Sequence, residues 1–417
     1  MPRFTFVQIA KMKKQKYYKL ILILGSLTAL GPFSIDMYLP GFSAIAADLN
    51  TTVNKVSLSL SSYFIGISAG QLLYGPLLDR FGRKRPLYAG LTVYVLASLG
   101  CAVATNIDAF ILLRFIQAVG SCAATVSAMA MVRDLFDSKE TPKVFSMLML
   151  VVGLSPMLAP TIGGYVISAF GWHPVFLILM VMGIAILLAA RFGLPHTRKP
   201  DTTISLKPKP ILQGFAAVLR NPQFATYAFS GAIAFSGLFT YVAGSPMVFM
   251  DIFQTDEKTY GWIFAFMSLS FIGASQLNAL LLKRFTSEQL VLSALMIQCF
   301  VSVVFLVFAI NNWLGLYETI AMLFLFLSCL GLSNPNTAGL SLAPFSRTAG
   351  SAAALLGALQ LGLGAVASVA VGIFVKNSMV PLVWILVCGS FLAVIVLLIG
   401  RRTIKNFATN RASVEMP

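Results

Sequence analysis

Twelve apolar runs, most of them about 20 residues long, alternate with shorter polar stretches along the chain. They lie at 18–40, 56–78, 86–104, 107–132, 144–170, 174–194, 223–250, 260–282, 289–310, 314–337, 350–375 and 380–400. A helix needs about 20 apolar residues to cross about 30 Å of hydrocarbon. Each run therefore predicts one membrane-spanning helix. The exit of the first run and the end of the tenth are the least sharply defined boundaries.

The composition gives the same picture. Apolar residues make up 58% of the chain and charged residues only 11%, whereas a soluble domain has about 25% charged residues. So little polar surface cannot cover a water-soluble fold of this size. We therefore predict an all-α polytopic membrane protein with twelve transmembrane helices.

The longest polar interval divides the twelve runs into six and six. It runs from Pro195 to Pro222 and is rich in proline and basic residues. This predicts a six-helix bundle at 1–194, a cytoplasmic linker at 195–222, and a second bundle with a cytoplasmic tail at 223–417. A short repeat agrees, because the second run ends in Asp79-Arg80-Phe81 and the eighth ends in Lys283-Arg284-Phe285. Corresponding helix ends are expected of two parallel repeats.

The basic residues indicate the orientation. If both termini are cytoplasmic, 26 of the 30 Lys and Arg residues fall on the cytoplasmic side, as the positive-inside rule requires. This asymmetry explains the net charge of +16 without a nucleic acid partner, and it favours contact with anionic lipids. No small-residue cleavage site follows the lysines before the first run, so we expect that run to remain as a helix.

Two charged residues lie well inside apolar runs, where a charge at the helix centre costs about 2.5–3.5 kcal/mol on insertion scales. They are Asp36 in the first run and Arg114 in the fourth. If the first helix continues to Asp48, both lie in the outer half of the membrane and could meet across a cavity. The alternative is that Arg114 extends its head group to the interface while Asp36 caps a kink before Pro40.

Small residues and prolines share one face of the fifth run. Gly153, Pro156, Pro160 and Gly163 are spaced by three, four and three residues, and Gly164 follows. Prolines bend a helix, and glycines allow another backbone to approach closely. Generic tight packing between helices is the alternative interpretation.

The turn after the second run contains a charged cluster. Its residues of interest are Gly75, Asp79, Arg80, Gly82 and Arg83, with Asp134 at the end of the fourth run as a candidate partner for Arg83. Basic residues are expected on the cytoplasmic side, but Asp79 is not explained by that rule, and Gly82 is typical of a tight turn. An ordinary solvated loop is the alternative.

Several of these motifs resemble the sequence motifs of a known protein family. The stretch Gly75-x-x-x-Asp79-Arg80-x-Gly82-Arg83-Lys84 resembles the loop signature of the major facilitator superfamily. The segments 113–120 and 155–164 are similar to the fourth-helix and fifth-helix motifs of its drug:proton antiporters. Ile35 to Pro40, Trp172-His173 and the stretch from Pro335 to Ala352 resemble the bicyclomycin-resistance (Bcr/CflA) subgroup. One departure is Ala159 before Pro160, where the antiporter motif usually has glycine.

The resemblance implies two bundles that rock about a central cavity and export small drugs in exchange for protons across a bacterial inner membrane. It implies that Asp36 binds the proton and Arg114 modulates it, that Asp79, Arg83 and Asp134 close the cytoplasmic side, and that the fifth-helix face prevents leak. Candidate substrate contacts, each of which could instead be a helix–helix hydrogen bond, are Tyr38, Tyr63, Gln117, Tyr241, Gln276, Asn278, Asn334, Asn336 and Gln360. Protons, a drug and membrane lipids are the expected partners of a monomer.

Other classes of protein fit less well. The two histidines, His173 and His196, lie near run ends and form no catalytic or zinc motif, so we expect neither enzyme activity nor a metal or other cofactor. A channel would show a selectivity filter or charge rings. A proton-coupled importer of a small nutrient remains the serious alternative, because a fold does not fix the direction of transport.

Overall fold

The regular structure of the chain is helical throughout the part that the computed structural model describes, which is residues 14–137, 140–195, 208–345, 349–375 and 378–414. The helices are α1 (Lys14–Asp36), α2 (Phe42–Asp48), α3 (Val53–Phe81), α4 (Lys84–Ala102), α5 (Ile107–Leu135), α6 (Thr141–Phe170), α7 (His173–Gly193), α8 (Pro208–Leu219), α9 (Pro222–Pro246), α10 (Glu257–Leu281), α11 (Ser287–Ile310), α12 (Leu316–Leu342), α13 (Ala349–Phe374) and α14 (Val380–Val414).

Eleven spans in these described segments are long and apolar enough to cross a membrane, so the chain is a multi-pass membrane protein. They correspond to every predicted run except the third. That run forms α4, which has 19 residues and begins with Lys84 and Arg85, so that any membrane-length window includes a basic residue. A twelfth span at α4 therefore stays a prediction. Residues 196–207 of the predicted linker, with His196, and also Arg347 lie outside the described residues.

The ends of the predicted runs differ from the observed helices at several places, the largest being the twelfth run, which continues as α14 to Val414. The first run does not continue straight to Asp48, because α1 ends at Asp36 and a 3-10 turn at Leu39–Gly41 precedes α2. Pro40 in this turn lacks the backbone N–H that a continuous helix would need. The seventh run extends beyond residue 250 as a π-helical segment, Met247–Ile252. The tenth run continues to Leu342.

Polar residues at the helix ends explain several of the boundaries. Side-chain oxygens of Asn106, Asn221 and Asp256 accept hydrogen bonds from the free backbone N–H groups at the starts of α5, α9 and α10. Thr286 and Gln289 form a reciprocal capping box at the start of α11. Gly82, which separates α3 from α4, has a φ of +80°. This left-handed backbone confirms the tight turn expected there.

The long helices pack in two groups. Helices α1 and α3 to α7 contact mainly one another, and so do α9 to α14. We call them the first group, which includes the short helix α2 packed against α3, and the second group, which includes the π-helical segment after α9. Two helix pairs, α3 with α13 and α6 with α10, make nearly all the contacts between the groups. Part of the predicted linker forms the helix α8, which the hydropathy pattern does not predict, and its apolar side chains pack against the second group.

The helix ends alternate between two ends of the molecule. The Asp48 end contains the loops after α1, α4, α6, α9 and α13, because Lys55 pairs with Asp108 and Trp172 bonds Asp48 there. The Arg83 end contains the loops after α3 and α5, because Arg83 bonds Asp134 there. The candidate functional residues lie between these two ends.

Candidate functional site

Asp36 is the last residue of α1 and is buried, with 4% of its surface exposed. Its carboxyl group makes no hydrogen bond or ion pair within the described segments. Asp36 thus combines deep burial with an unpartnered acidic group. Such an arrangement favours the neutral, protonated side chain, because burial of an isolated carboxylate is costly.

Arg114 on α5 is fully buried and does not pair with Asp36. It donates instead to the backbone carbonyl of Ser34 at 2.9 Å and to the side-chain oxygen of Gln117. The predicted meeting of the two charges is therefore absent from this structure, although Arg114 does contact the helix that carries Asp36. Arg114 also does not extend to the interface, because none of its surface is exposed.

Two tyrosine rings enclose the Arg114 guanidinium. Its central carbon lies 4.3 Å from the ring centre of Tyr38 and 4.2 Å from that of Tyr63. A desolvated cation on an aromatic face gains about 2 kcal/mol or more, which compensates for the absence of a carboxylate. The two hydroxyl groups bond Ser59 and Ser121, at 3.0 and 2.8 Å. Tyr38 and Tyr63, expected as substrate contacts, thus hold Arg114 in this structure.

Asp36 lies where the first group meets the second. It is close enough to Tyr241 on α9 and Tyr260 on α10 to act electrostatically on both hydroxyl groups. The Tyr260 hydroxyl is bonded to Ser245 at 2.8 Å, but the Tyr241 hydroxyl is buried and has no hydrogen-bond partner among the described residues. A buried unpaired hydroxyl is unusual in folded proteins. The Tyr241 hydroxyl is therefore a hydrogen-bond donor that the second group presents in the region of the Asp36 carboxyl.

The glycines of the fifth-run motif lie against other backbones. A Cβ atom at Gly163 would overlap the carbonyl oxygen of Met37, and one at Gly164 would overlap the backbone of Glu257 on α10. Thr161 of the same helix donates to the Gly261 carbonyl at 3.2 Å, so the motif joins the two groups. Gly153 is less crowded, because a Cβ there would lie 3.7 Å from the Ile272 side chain. The motif is thus a close helix contact between the groups near the Asp48 end, with Pro156 and Pro160 inside α6.

The charged cluster at the Arg83 end contains the expected contact between Arg83 and Asp134. The Arg83 side chain donates from Nε to Asp134 and from Nη1 to Asp79, each at 2.8 Å. Burial lowers the pKa of Arg83, but the hydrogen bonds and negative charges of Asp134 and Asp79 outweigh it and leave the pKa above its ordinary value. The arginine thus stays charged and ties the end of α3 to the end of α5. Gly75 and Arg80 lie on the last two turns of α3.

The remaining candidate substrate contacts are mostly paired with one another or with other helices. The Asn336 amide donates to Asn278 at 2.6 Å, and the Gln360 amide donates to Asn334 at 2.9 Å. Gln117 donates to Ser98 at 2.7 Å in addition to accepting from Arg114. These bonds join helices within a group. Gln276, in contrast, is exposed on α10.

The sequence did not draw attention to three polar residues that the structure places between helices. Asp251, in the π-helical segment, accepts a hydrogen bond from Ser43 of the first group at 3.0 Å. Asn54 at the start of α3 donates to the carbonyl of Val375 in the second group. Gln298 is fully buried in α11, and neither polar atom of its amide has a partner within the described segments. Asn54 and Asp251 lie just outside the second and seventh apolar runs. A polar residue next to a run is the only sequence feature by which they could have been found.

Comparison with known proteins gives an independent line of information. The sequence profile of the Major Facilitator Superfamily matches residues 24–369. The chain is 32% identical over 359 residues to an uncharacterized MFS-type transporter, YdgK, of Bacillus subtilis, covering 85% of this chain and 88% of that one. It is also 32% identical over 356 residues to the bicyclomycin resistance protein homolog of Haemophilus influenzae, covering 85% and 89%. The multidrug resistance protein MdtL of Klebsiella pneumoniae is 30% identical over 384 residues, covering 88% and 95%.

Solved structures agree in fold. The crystal structure of a D-xylose-proton symporter superposes with a TM-score of 0.74 at 14% identity, covering 91% of this chain and 97% of that one. A partially occluded, inward-open xylose transporter XylE from Escherichia coli gives a TM-score of 0.71 at 12% identity, covering 92% and 97%. At these identities the likeness concerns the fold alone. The sequence relatives agree with the subgroup that the first-run and tenth-run motifs resemble.

Proposed function

This chain belongs to the major facilitator superfamily, and from that premise we propose that it exports small drug-like molecules across a bacterial inner membrane in exchange for protons. It is a transport protein and not an enzyme. The names of two relatives, a bicyclomycin resistance protein homolog and a multidrug resistance protein, support an antibiotic or similar amphipathic compound as the substrate. The transporter acts as a monomer in contact with anionic lipids.

The proposal includes a topology of twelve spans in two six-helix bundles. The first bundle comprises residues 1–194 and the second 223–417, joined by the linker at 195–222. Both termini and the Arg83 end face the cytoplasm, and the Asp48 end faces outwards. The distribution of Lys and Arg supports this orientation, and so does the packing of the helices in two groups that meet along two helix pairs.

Asp36 is the proton-binding residue. The observation that supports this proposal is the burial of its carboxyl group without a hydrogen-bond or ion-pair partner among the described residues. Asp36 is buried at the junction of the two groups, and its carboxyl group has no partner in the part of the chain that the structure describes, so it does not serve to join helices. Protonation makes it neutral and compatible with its surroundings. Loss of the proton creates a charge that must find a donor or a cation.

Two groups near Asp36 can respond to that charge. Tyr241 provides a hydroxyl from the second group that has no other partner, and Arg114 is connected to α1 through the Ser34 carbonyl. A hydrogen bond from Tyr241, or a cationic or polar substrate, would stabilise the ionised form. Proton and substrate then exclude one another at one position. This mutual exclusion is the coupling that an antiporter needs.

The two ends of the molecule act as alternate gates. In this structure the Asp48 end is held together by the α6–α10 glycine contacts and by hydrogen bonds between the groups. At the Arg83 end, the cluster of Asp79, Arg83 and Asp134 closes the cytoplasmic side in the opposite state. Gly153, Pro156, Pro160, Gly163 and Gly164 keep the helix pair tight and so limit proton leak.

The test measures proton release directly. Purified protein in detergent should release protons when a transported drug is added, and Asp36→Asn should abolish this release while the protein still folds. Asp36→Glu should retain part of it. Asp108→Asn is the matched control, because Asp108 is an exposed acid paired with Lys55, and its release should equal that of the wild type. Undiminished proton release by Asp36→Asn would exclude Asp36 as the proton site.

A proton-coupled importer of a nutrient differs in the direction of transport. In inverted membrane vesicles, a proton gradient should drive accumulation of the drug if the protein is an exporter. An importer would accumulate its substrate in right-side-out vesicles instead. Resistance of a pump-deficient bacterium that expresses the protein, lost upon addition of a protonophore, identifies the compound.

A further inference from the structure

A second carboxyl group, Asp251, joins the two helix groups at the Asp48 end. Its Oδ1 accepts a hydrogen bond at 3.0 Å from the hydroxyl of Ser43, the second residue of α2. Ser43 belongs to the first group and Asp251 to the second, so the bond crosses between them. This contact adds to the bonds between Asn54 and Val375 and between Thr161 and Gly261, which also cross between the groups at this end.

The backbone at Asp251 is unusual. The residues Met247–Ile252 form a π-helical segment directly after Pro246. Such segments are rare and often occur at functional sites, because the wider turn changes the direction of side chains that would otherwise follow the α-helix. Here the segment accompanies a half-buried acidic residue that meets α2 of the opposite group.

Among these three hydrogen bonds between the groups, the one at Asp251 involves a side chain that can carry a charge. Asn54 and Thr161 are neutral donors to backbone carbonyls, whose bonding does not change with pH. The other charged groups near this end are engaged elsewhere in the described structure: Asp48 bonds Trp172 and lies 3.6 Å from His173, Lys55 pairs with Asp108, Asp256 caps α10, and Lys258 lies over the Tyr165 ring. Glu257 is the first residue of α10, where an acid interacts with the helix N-terminus.

We propose that ionised Asp251 holds the Asp48 end closed through Ser43, and that protonation of Asp251 from the outside releases this end. A hydrogen bond to an ionised carboxylate is about twice as strong as a neutral one. Uptake of a proton therefore weakens the Ser43 contact without changing the neutral bonds. The inference rests on the proposed alternating-access function and the assignment of the Asp48 end to the outside. It adds a proton-responsive residue distinct from Asp36.

A crosslinking experiment tests whether the contact must break during transport. In a background without the five native cysteines, Ser43→Cys and Asp251→Cys should form a disulfide on oxidation and stop transport, with recovery after reduction. The control pair is Lys55→Cys with Asp108→Cys within the first group, whose native side chains are 3.1 Å apart; a bis-maleimide joins this pair, because two cysteines cannot span the length of the lysine side chain. That pair should crosslink without stopping transport. Absence of a crosslink between positions 43 and 251, or undiminished transport through the crosslinked protein, overturns the proposal.

A labelling experiment tests the role of the proton without any drug. Ser61 is buried and bonded at 2.7 Å to Ser368 of the second group, so Ser61→Cys should react with an impermeant maleimide added outside only when the Asp48 end opens. The reaction rate is divided by that of the variant Lys55→Cys, whose native side chain is 44% exposed, which corrects for the effect of pH on the thiol. Lowering the external pH from neutral to mildly acidic should raise the corrected rate by about fivefold.

Substitutions then assign that pH response. Asp251→Asn should show the fast rate at both pH values, because its side chain is permanently neutral. Ser43→Ala should also be fast at both, whereas Asp48→Asn should respond like the wild type. A pH response that survives in Asp251→Asn overturns the proposal. Because no substrate is used, such a failure would leave the Asp36 proton-release test unaffected, and a failure of that test would leave this one interpretable.

Discussion

The two helix groups have different polar interiors. The first group is organised around a buried cation, Arg114, with aromatic rings on two sides and hydrogen bonds to Ser34 and Gln117. The second group contains neutral amides instead: Asn336 bonds Asn278, and Gln360 bonds Asn334. Both arrangements connect helices. Only the first places a fixed charge next to the helix that carries Asp36.

This difference indicates that the polar interiors of the two groups have different roles. A neutral amide pair fixes the relative position of two helices but does not respond to a proton. A buried cation sets the electrostatic potential around it, so that any change of charge on a neighbouring helix has an energetic consequence. In the proposed mechanism the first group therefore contains the buried proton site, Asp36, and the cation next to its helix. The second contributes Tyr241 and Asp251, which meet the first group at its surface.

Loss of the buried cation should have the largest effect. Arg114→Ala removes a fully buried side chain and leaves Gln117 and the Ser34 carbonyl with unmet hydrogen bonds. We expect a loss of about 3–5 kcal/mol of stability, seen as a large drop in the yield of folded protein and in its unfolding temperature in detergent.

Arg114→Lys sharpens this test. A lysine retains the charge but cannot present a planar group to both tyrosine rings. It should fold better than the alanine variant and still transport poorly. If Arg114→Ala folds and transports normally, the buried cation has no role in either process and the comparison between the groups fails.

The next largest effect concerns two ion pairs in different groups. Asp79→Asn should keep the protein in the membrane and reduce transport by roughly tenfold, since a pair with partly buried Arg83 contributes more than an exposed pair. The control is Glu288→Gln, which breaks the more exposed pair with Arg401 at 3.2 Å in the second group. Transport by this control should change little. Equal effects of the two variants would remove any special role of Asp79.

The amide pairs should behave as packing contacts. Asn336→Leu leaves the buried Asn278 amide unpaired and should cost about 1–3 kcal/mol, whereas the double variant with Asn278→Leu should recover most of that loss. Gln298→Leu should be neutral or stabilising, because both polar atoms of Gln298 already lack partners. Thermal unfolding measures stability and vesicle transport measures function. A double variant that is stable but inactive would assign this pair to transport.

The smallest predicted effect is the loss of stability when the residue that caps a helix is replaced, and each group offers one such residue. Asn106 caps α5 in the first group and Asp256 caps α10 in the second, each accepting a backbone hydrogen bond at 2.8 Å. Replacement by alanine should cost about 1 kcal/mol in either case at neutral pH. The hydrogen bond from Thr259 lowers the pKa of Asp256 below its ordinary value of 3.8.

The two caps should therefore differ in acid. The stabilisation from Asp256 is present above the ordinary pKa and is lost as the pH falls through the lowered, folded-state pKa. The cost of Asp256→Ala should accordingly shrink in strong acid, while that of Asn106→Ala should not change. Unfolding temperatures of both variants measured across the acidic range provide the test. A constant cost for Asp256→Ala would mean that its cap does not depend on charge.

The sequence predicted those features that follow from one helix or one short loop. Twelve apolar runs gave the positions of the long helices, and the cost of a charge in the membrane identified Asp36 and Arg114 as the residues to examine. The glycine in the turn after the second run predicted the left-handed backbone of Gly82. The contact of Arg83 with Asp134 followed because the carboxyl ends of alternate spanning helices lie on the same side of a membrane.

Features that depend on how helices rotate against one another were not predictable in this way. A straight first helix placed Asp36 near Arg114, but α1 ends at Asp36, and Arg114 bonds Ser34 and Gln117 instead. The pairing of Asn278 with Asn336 likewise needs the relative rotation of two helices. Asp251 lay beyond the predicted seventh run, because a π-helical turn cannot be distinguished from a loop by hydropathy alone.

The glycine contacts of α6 have a consequence for the entropy of closure. Where Gly164 lies against the backbone of Glu257, and Gly261 of α10 lies against that of Thr161, the closed position is set by main chains that are already ordered within helices. Longer side chains at these positions would lose rotamer freedom each time the helices met, about 0.5–2 kcal/mol for each large side chain. A contact between bare backbones avoids this loss. The helix pair can thus meet and separate repeatedly over a small free-energy difference, within the range that binding of one proton can reverse.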